Sequence, residues 1–237
     1  MANDFFAFKE FTIHQNRPTF KVGTDGVLLG AVADTGDAGH ILDIGTGTGL
    51  IAIMCAQRSK AWITAIEPDK ESFLQAVINA RACRWSDRIT VLNSDLQSFV
   101  PVSDNKFDLV VSNPPYFINS LLNPDMIKSA TRHSFSLSAS DILNGADLLL
   151  TEKGSLQLIL PYDEGTLFIA EAAGAGFYCN SIIKIKPYPE GKIIRMIMKF
   201  ERVKKTTYEK FLTIETGSRH SYTEEYKELT RNFYLKF

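Results

Sequence analysis

Three cysteines in 237 residues, at positions 55, 83 and 179, are too few and too scattered for a disulfide framework or a thiolate metal site. Each stands in an apolar context, the usual setting of a reduced, buried structural cysteine. No run of about 18 apolar residues occurs, so no membrane-spanning helix is expected. An excess of one charge is missing as well. With 26 basic and 27 acidic residues the net charge is −1, which by itself singles out no nucleic-acid partner. The opening decapeptide MANDFFAFKE carries Asp4 where a secretion signal needs a basic start, and no long apolar stretch follows. Internal repeats, low-complexity tracts and linkers are also lacking. A secreted scaffold, a membrane protein and a disordered chain are all disfavoured, and a cytoplasmic setting fits best.

What is present is alternation. HILDIG predicts a strand and Leu50 to Gln57 a helix; AWITAIE is again a strand, followed by a helix from Lys70 to about Ala82. RITVLNSD and FDLVVSN give two further strands, Ser138 to Leu150 a helix, SLQLILP a fifth strand and Glu164 to Ala175 another helix. Strands alternating with helices of this length predict an α/β fold on a mostly parallel sheet. Two strand-like runs within 177–202 are joined by PYPEG, with no room for a crossover helix, so a hairpin makes one edge antiparallel. We expect one domain over 1–237. Residues 1–37 form an N-terminal extension packed on it, and 207–237 a helical tail.

ILDIGTGTGL places Asp43, Gly45, Gly47 and Gly49 where the first of these strands meets its helix. In an open parallel sheet, ligands bind beyond the carboxyl ends of the strands, and glycines let the backbone approach them closely. Leu50 stands where a dinucleotide fingerprint has its third glycine or alanine, and Asp43 would crowd a pyrophosphate. An ammonium-bearing ligand suits that carboxylate better. Glu67, 24 residues after Asp43, ends the second strand, where a carboxylate can accept from both hydroxyls of a ribose. Asp95 follows the third strand on the same predicted rim, at the edge that would meet an adenine. Three acids and a glycine loop suggest S-adenosylmethionine rather than NAD; the competing reading is that Asp43 and Asp95 merely cap helices.

LVVSNPPYFINS runs from a buried strand into Asn113, two prolines and two aromatics, Tyr116 and Phe117. The prolines restrict the backbone and remove two N–H donors. The Asn113 side-chain oxygen and the Pro114 carbonyl are both acceptors, and together they can hold both hydrogens of a planar amine. That frees the nitrogen lone pair toward a methyl group, while Tyr116 offers a flat face for a base. The competing reading is a rigid turn with Tyr116 covering the core.

The succession LDIGTGTG, AIEPD, NSDL and VVSNPPYF resembles the Rossmann-like class I S-adenosylmethionine-dependent methyltransferases, built on a mostly parallel seven-stranded sheet, that modify exocyclic or amide nitrogens. With the opening FTIHQNRPTFKVGTDGVLLGAVA and the later Thr131-Arg132-His133, the chain is similar to the bacterial tRNA(Val) adenine-N6 methyltransferases. The resemblance runs to about Glu201. It implies that Asp43, Gly45 and Gly47 surround the methionine part of the cofactor, Glu67 the ribose and Asp95 the adenine. Asn113, Pro114 and Tyr116 would form the target-amine pocket, with Phe117 beside it. Thr24 and Asp25 of KVGTDG would close over the methionine end; the residues alone read there as a glycine-containing turn, or as a helix cap at either position. Arg132 would contact the substrate, and His133 reads as a surface or packed loop residue.

The implied partner is tRNA, with no membrane and no obligate protein partner. Its basic contacts are sought among Lys184, Lys186, Lys192, Arg195, Lys199, Arg202, Lys204 and Lys205, with Lys204 and Lys205 taken as substrate-binding. Alternating placement such as KIK is also what an ordinary solvated strand face looks like. Two other readings stay open: a glutamine-N5 protein methyltransferase, whose amide presents the same planar amine, and a non-catalytic RNA-binding module.

Overall fold

Ile41, Leu42 and Ile44 have almost no exposed surface, and neither do Leu109, Val110 and Val111, as expected of central parallel strands covered on both faces. The computed structural model describes residues 3–17, 21–115 and 137–236. Tyr116, Phe117, Arg132 and His133 lie outside the described residues. A small antiparallel hairpin, β1 (Phe5–Ala7) and β2 (Thr12–His14), precedes helix α1 (Thr24–Val32). There follow β3 (His40–Ile44), α2 (Leu50–Arg58), β4 (Trp62–Ile66), α3 (Lys70–Ala82), β5 (Ile89–Leu92), the single turn α4 (Leu96–Phe99) and β6 (Phe107–Ser112). Beyond residue 136 come α5 (Ala139–Leu149), β7 (Leu150–Pro161), α6 (Tyr162–Gly174), β8 (Tyr178–Lys186), β9 (Arg195–Glu201), β10 (Tyr208–Thr213) and α7 (Glu224–Thr230).

The main sheet has the order β10-β8-β9-β7-β6-β3-β4-β5. Only β9 runs against the rest, pairing antiparallel with both β7 and β8. The fold class is as expected, but the sheet has eight strands where the sequence predicts seven. The extra one is β10, in the segment read as a helical tail. Only Leu212 of β10 is fully buried, so this edge strand carries almost no periodic signal. β10 pairs in parallel with β8, which sets the β8–β9 hairpin one strand in from the edge. Helix α7 is the part of that tail that is helical.

One apolar layer joins α4, α5 and α6 to one face of the sheet through Leu96, Ile142, Leu143 and Phe168. The other face is covered through Leu28, Leu29, Ile51, Cys55 and Tyr226 of α1, α2 and α7. A third cluster packs Phe8, Phe11 and Ile13 of the N-terminal segment against Val27, Ile53, Met54 and Phe233. Asn79 of α3 ties that segment to the glycine loop. Its amide donates to the carbonyls of His14 and Thr48, and its oxygen accepts from His14 N–H. Cys55 and Cys83 are buried and Cys179 half-buried, all as free thiols. Among the described residues no helix is long and apolar enough to cross a membrane.

Helices α1 and α2 touch through glycine. A Cβ built on Gly30 would lie 2.6 Å from Met54 Sδ and 3.0 Å from Met54 Cβ. The thioether could swing away, but the Cβ is fixed to its helix, so the two helices would have to separate. Gly30→Ala is therefore expected to cost about 1–3 kcal/mol in urea unfolding, despite alanine's better helix propensity.

Candidate active site

The carboxyl ends of β3, β4 and β6 form one edge of the sheet, and the register Asp43↔Val111 and Ile44↔Ser112 sets β3 and β6 level there. The buried Ser112 hydroxyl donates to the Ile44 carbonyl at 2.8 Å and locks the two strand ends together. The chain then turns, from β3 into the glycine loop and from β6 into Asn113-Pro114-Pro115. Gly45, Gly47 and Gly49 all have positive φ, at 70°, 57° and 83°. A Cβ on Gly45 or Gly47 would meet nothing, so backbone conformation rather than crowding accounts for glycine there.

Four of the loop's amides are already committed. Gly45 and Thr46 N–H donate to the Ile66 carbonyl, Gly49 N–H to the Thr46 carbonyl, and Gly47 N–H to Glu67 Oε2 at 2.8 Å. Those four are thereby spent for a phosphate cradle, which needs convergent, unspent amides. Glu67, nearly buried, also accepts from Asp69 N–H through Oε1 at 2.9 Å. Burial raises its pKa, against the lowering effect of the Asp69 and Gly47 amide bonds. Each oxygen keeps lone-pair capacity for a further donor.

Asp43 is fully buried at the penultimate position of β3. Its Oδ2 accepts from Thr46 Oγ1 at 2.6 Å and from Ala52 N–H at 3.1 Å, while Oδ1 is buried and has no partner among the described residues. Burial pushes the carboxyl up to about 7; the bonds from Thr46 and Ala52 oppose that, and the Glu67 charge adds to it. A buried acceptor without a donor is costly, so this site is chemically prepared for a cationic donor. Ala52 lies in the first turn of α2, whose N-cap Gly49 has no side chain to offer. The capping reading is thus partly right for Asp43, one of whose oxygens serves the helix. Asp95 also caps: it is the N-cap of α4, with Oδ1 accepting from Ser98 N–H at 2.6 Å.

Thr24 and Asp25 open α1, and neither caps it, because the N-cap is Gly23. The Asp25 Oδ2 accepts from Arg195 Nε at 2.7 Å, which joins α1 to the start of β9. Arg195 pairs in register with Pro161 at the carboxyl end of β7, so this ion pair stands on the same edge as Asp43 and Asn113. Sequence reasoning missed the pair, since its partners are 170 positions apart. Asn113 is half-buried and Pro114 buried just past β6.

Lys204 and Lys205 are not brought to this edge. β9 runs antiparallel and ends at Glu201, opposite Tyr178 at the start of β8, so both lysines follow at the far edge of the sheet. There Lys205 Nζ pairs with Glu201 at 2.7 Å, and Lys204 Nζ lies over the Tyr178 ring.

The family model described as methyltransferase small domain matches residues 19–165. A tRNA1(Val) (adenine(37)-N6)-methyltransferase of Trichodesmium erythraeum is 41% identical over 240 residues, covering 100% of both chains. One of the same name from Phocaeicola vulgatus is 44% identical, covering 99% of each. A solved structure from Agrobacterium tumefaciens, described as a predicted O-methyltransferase, superposes with a TM-score of 0.62. At 23% identity, covering 88% of this chain and 96% of that one, it shares the fold. On full-length identity and the matched domain, the chain belongs to the tRNA1(Val) (adenine(37)-N6)-methyltransferase family.

Proposed function

We propose that the protein methylates N6 of adenine 37 in tRNA(Val), in the cytoplasm, using S-adenosylmethionine. The observation that carries the reading is a buried, donorless Asp43 oxygen on the same sheet edge as the Asn113-Pro114 turn, in a chain with full-length relatives of that name. When bound, S-adenosylmethionine supplies an electrophilic methyl group on a sulfonium. Asp43 Oδ1 accepts from its ammonium, Glu67 from the ribose hydroxyls, and Asp95, through the oxygen not used in capping, from the adenine amino group. Gly45 and Gly47 line the methionine part, and Thr24 and Asp25 close over it. The Asn113 oxygen and the Pro114 carbonyl hold the two hydrogens of the target amine, turning its lone pair toward the methyl carbon. As N6 bonded the methyl carbon, the carbon–sulfur bond of the sulfonium would break to leave S-adenosylhomocysteine, and the N6–H proton would pass to solvent water. No covalent enzyme intermediate is needed, and Tyr116, two positions after Pro114, supplies the ring that stacks on the base, with Phe117 and Arg132 contributing to substrate binding.

Purified protein incubated with labelled S-adenosylmethionine and total tRNA is expected to yield N6-methyladenosine by nucleoside mass spectrometry. Label in a protein glutamine, offered separately in a release-factor-like substrate, would overturn the assignment. Calorimetry should show binding of S-adenosylhomocysteine and none of NAD. Glu67→Ala removes the ribose acceptor and the acceptor of Gly47 N–H together, and is expected to weaken S-adenosylhomocysteine by roughly 2–3 kcal/mol in the same titration.

A further inference from the structure

The turn between β8 and β9 also stands on this sheet edge, and the site so far leaves it without a role. Because β9 is reversed, its beginning stands on the edge where the parallel strands end: Arg195 is level with Pro161 of β7 and with Ile185 of β8. β9 lies two strands from β6, so the turn starts roughly 10 Å from Asn113 across the sheet, on the side away from Asp43 and Glu67. Three large apolar side chains are exposed here, Tyr188 at 48%, Ile194 at 40% and Tyr162 at 38%.

The turn is built stiffly. Pro187 and Pro189 flank Tyr188, and Gly191 N–H donates back to the Tyr188 carbonyl at 2.9 Å. The Pro187 carbonyl accepts from Glu215 N–H, Ile194 N–H donates to the Ile185 carbonyl, and Tyr162 N–H donates to Ile194. A Cβ at Gly191 would sit 2.9 Å from the Pro187 ring, so the turn is closely packed. Its aromatic tip is therefore held in place before any partner arrives, and little ordering entropy is lost on contact.

Charge separates the two ends of the hairpin. At the far edge Lys199 pairs with Asp34 and Glu201, Lys205 with Glu201, and Arg202 with Asp147. At the turn neither Lys186 nor Lys192 has a carboxylate partner among the described residues; Lys186 Nζ donates to the Pro189 carbonyl. The nearby acids are Glu190 in the turn, Asp163 after Tyr162, Glu215 beside Pro187, and Glu209 of β10, which pairs with Lys184; among the described residues no ion pair joins any of them to Lys186 or Lys192, and the Lys186 ammonium also lies over the Phe211 ring. Exposed rings on a rigid turn, interleaved with unneutralised ammonium groups, match single-stranded nucleic acid, whose bases stack and whose phosphates seek cations.

We propose that Tyr188 and Tyr162, with Lys186 and Lys192, form the platform on which the RNA flanking the target adenine docks. This rests on reading the site as an RNA adenine methylase. The test uses the full chain carrying Tyr188→Ala, or Lys186→Ala with Lys192→Ala, each checked for an unchanged melting temperature. Each is expected to raise KM for tRNA about ten-fold while kcat and S-adenosylhomocysteine affinity hold. The double lysine variant should also flatten the salt dependence of tRNA binding by about 1.5 in log–log slope, and Tyr188→Phe should restore most of the loss. Unchanged KM in both variants, with wild-type protein methylating tRNA, overturns the platform and leaves the proposed function standing. Wild-type protein that retains tRNA on filters but transfers no methyl group to it overturns the function, and the variants' filter affinities then decide the platform. Loss of a protein substrate rather than tRNA on Tyr188→Ala would overturn the RNA assignment of this surface.

Discussion

Asn113→Ala is expected to lower kcat for tRNA methylation by on the order of 10²–10³-fold, with the affinity for S-adenosylhomocysteine changed less than about two-fold. The split follows from where the residue stands. Its backbone is held on both sides, by the Ser112–Ile44 bond before it and by Pro114 and Pro115 after it, so truncating the side chain leaves the turn in place. On the proposed mechanism, what disappears is one of two acceptors for the target amine, an interaction that strengthens as the nitrogen begins to carry positive charge. Losing it acts on the transition state and not on the cofactor, which lies toward β3 and β4. Single-turnover rates at saturating tRNA, read beside calorimetry, measure both quantities. Equal losses in rate and cofactor affinity would mean that Asn113 shapes the cofactor site instead.

The second large effect concerns Asp43 and pH. In the ligand-free protein its carboxyl is pushed up to about 7, so the folded state holds a proton that the unfolded chain releases near pH 4. The stability that this protonation contributes is fully present below pH 4 and is lost as pH rises through about 7. Binding an ammonium group needs the ionised form. Below pH 7, affinity for S-adenosylhomocysteine is therefore expected to rise by up to about ten-fold per pH unit and then to flatten.

Asp43→Asn separates these effects. Its oxygen can take over both bonds now made by Oδ2, from Thr46 and Ala52, which puts its NH₂ where the unpartnered Oδ1 is. The variant should fold and lose both pH dependences, yet bind S-adenosylhomocysteine on the order of 100-fold more weakly at pH 8. Calorimetry and thermal melts from pH 5.5 to 8.5 test this; a wild-type affinity flat across that range would remove Asp43 from the ammonium contact.

The parts legible in the sequence were those with a strong period. Lys70–Ala82 begins and ends about where expected, with Asp69 as its N-cap, yet its buried face is the small or polar Ser72, Gln75, Ala76, Asn79 and Ala80, while the apolar Phe73, Leu74 and Val77 are half-buried and Ile78 exposed. β3, β4 and β6 were legible because burial on both faces leaves unbroken apolar runs. β10 was not, since an edge strand with one buried side chain looks like a polar segment. KVGTDG read as a turn or as a helix cap at Thr24 or Asp25; a helix does start there, but its N-cap is Gly23 and Gly26 lies within it.

Lys204 and Lys205 stand at the far edge for a reason the sequence already held. Reading PYPEG as a hairpin already implied that the strand after it runs backwards. Following that direction would have carried its end, and both lysines, away from the site. Asp95 was legible both in position and as a possible cap, and the helix beginning immediately after it makes the cap real. The Asp25–Arg195 pair could not be read at all, because neither residue signals locally which end of the sheet it will reach.

The stacking of Phe8 on Tyr234, the bond from Lys9 N–H to the Phe233 carbonyl, and the burial of Phe233 beside Phe11 and Ile13 bear on how the chain folds during synthesis. More than 200 residues are translated between the two halves of that cluster. Through that interval Phe8 and Phe11 have no Phe233 to pack against, and the Asn79 clamp on the glycine loop secures a hairpin still missing part of its floor. Contacts of such long sequence separation form late. The methylation site should therefore gain its final rigidity after the central strands have assembled, and a nascent chain stalled before residue 229 would present its N-terminal aromatics to chaperones while its central sheet was already in place.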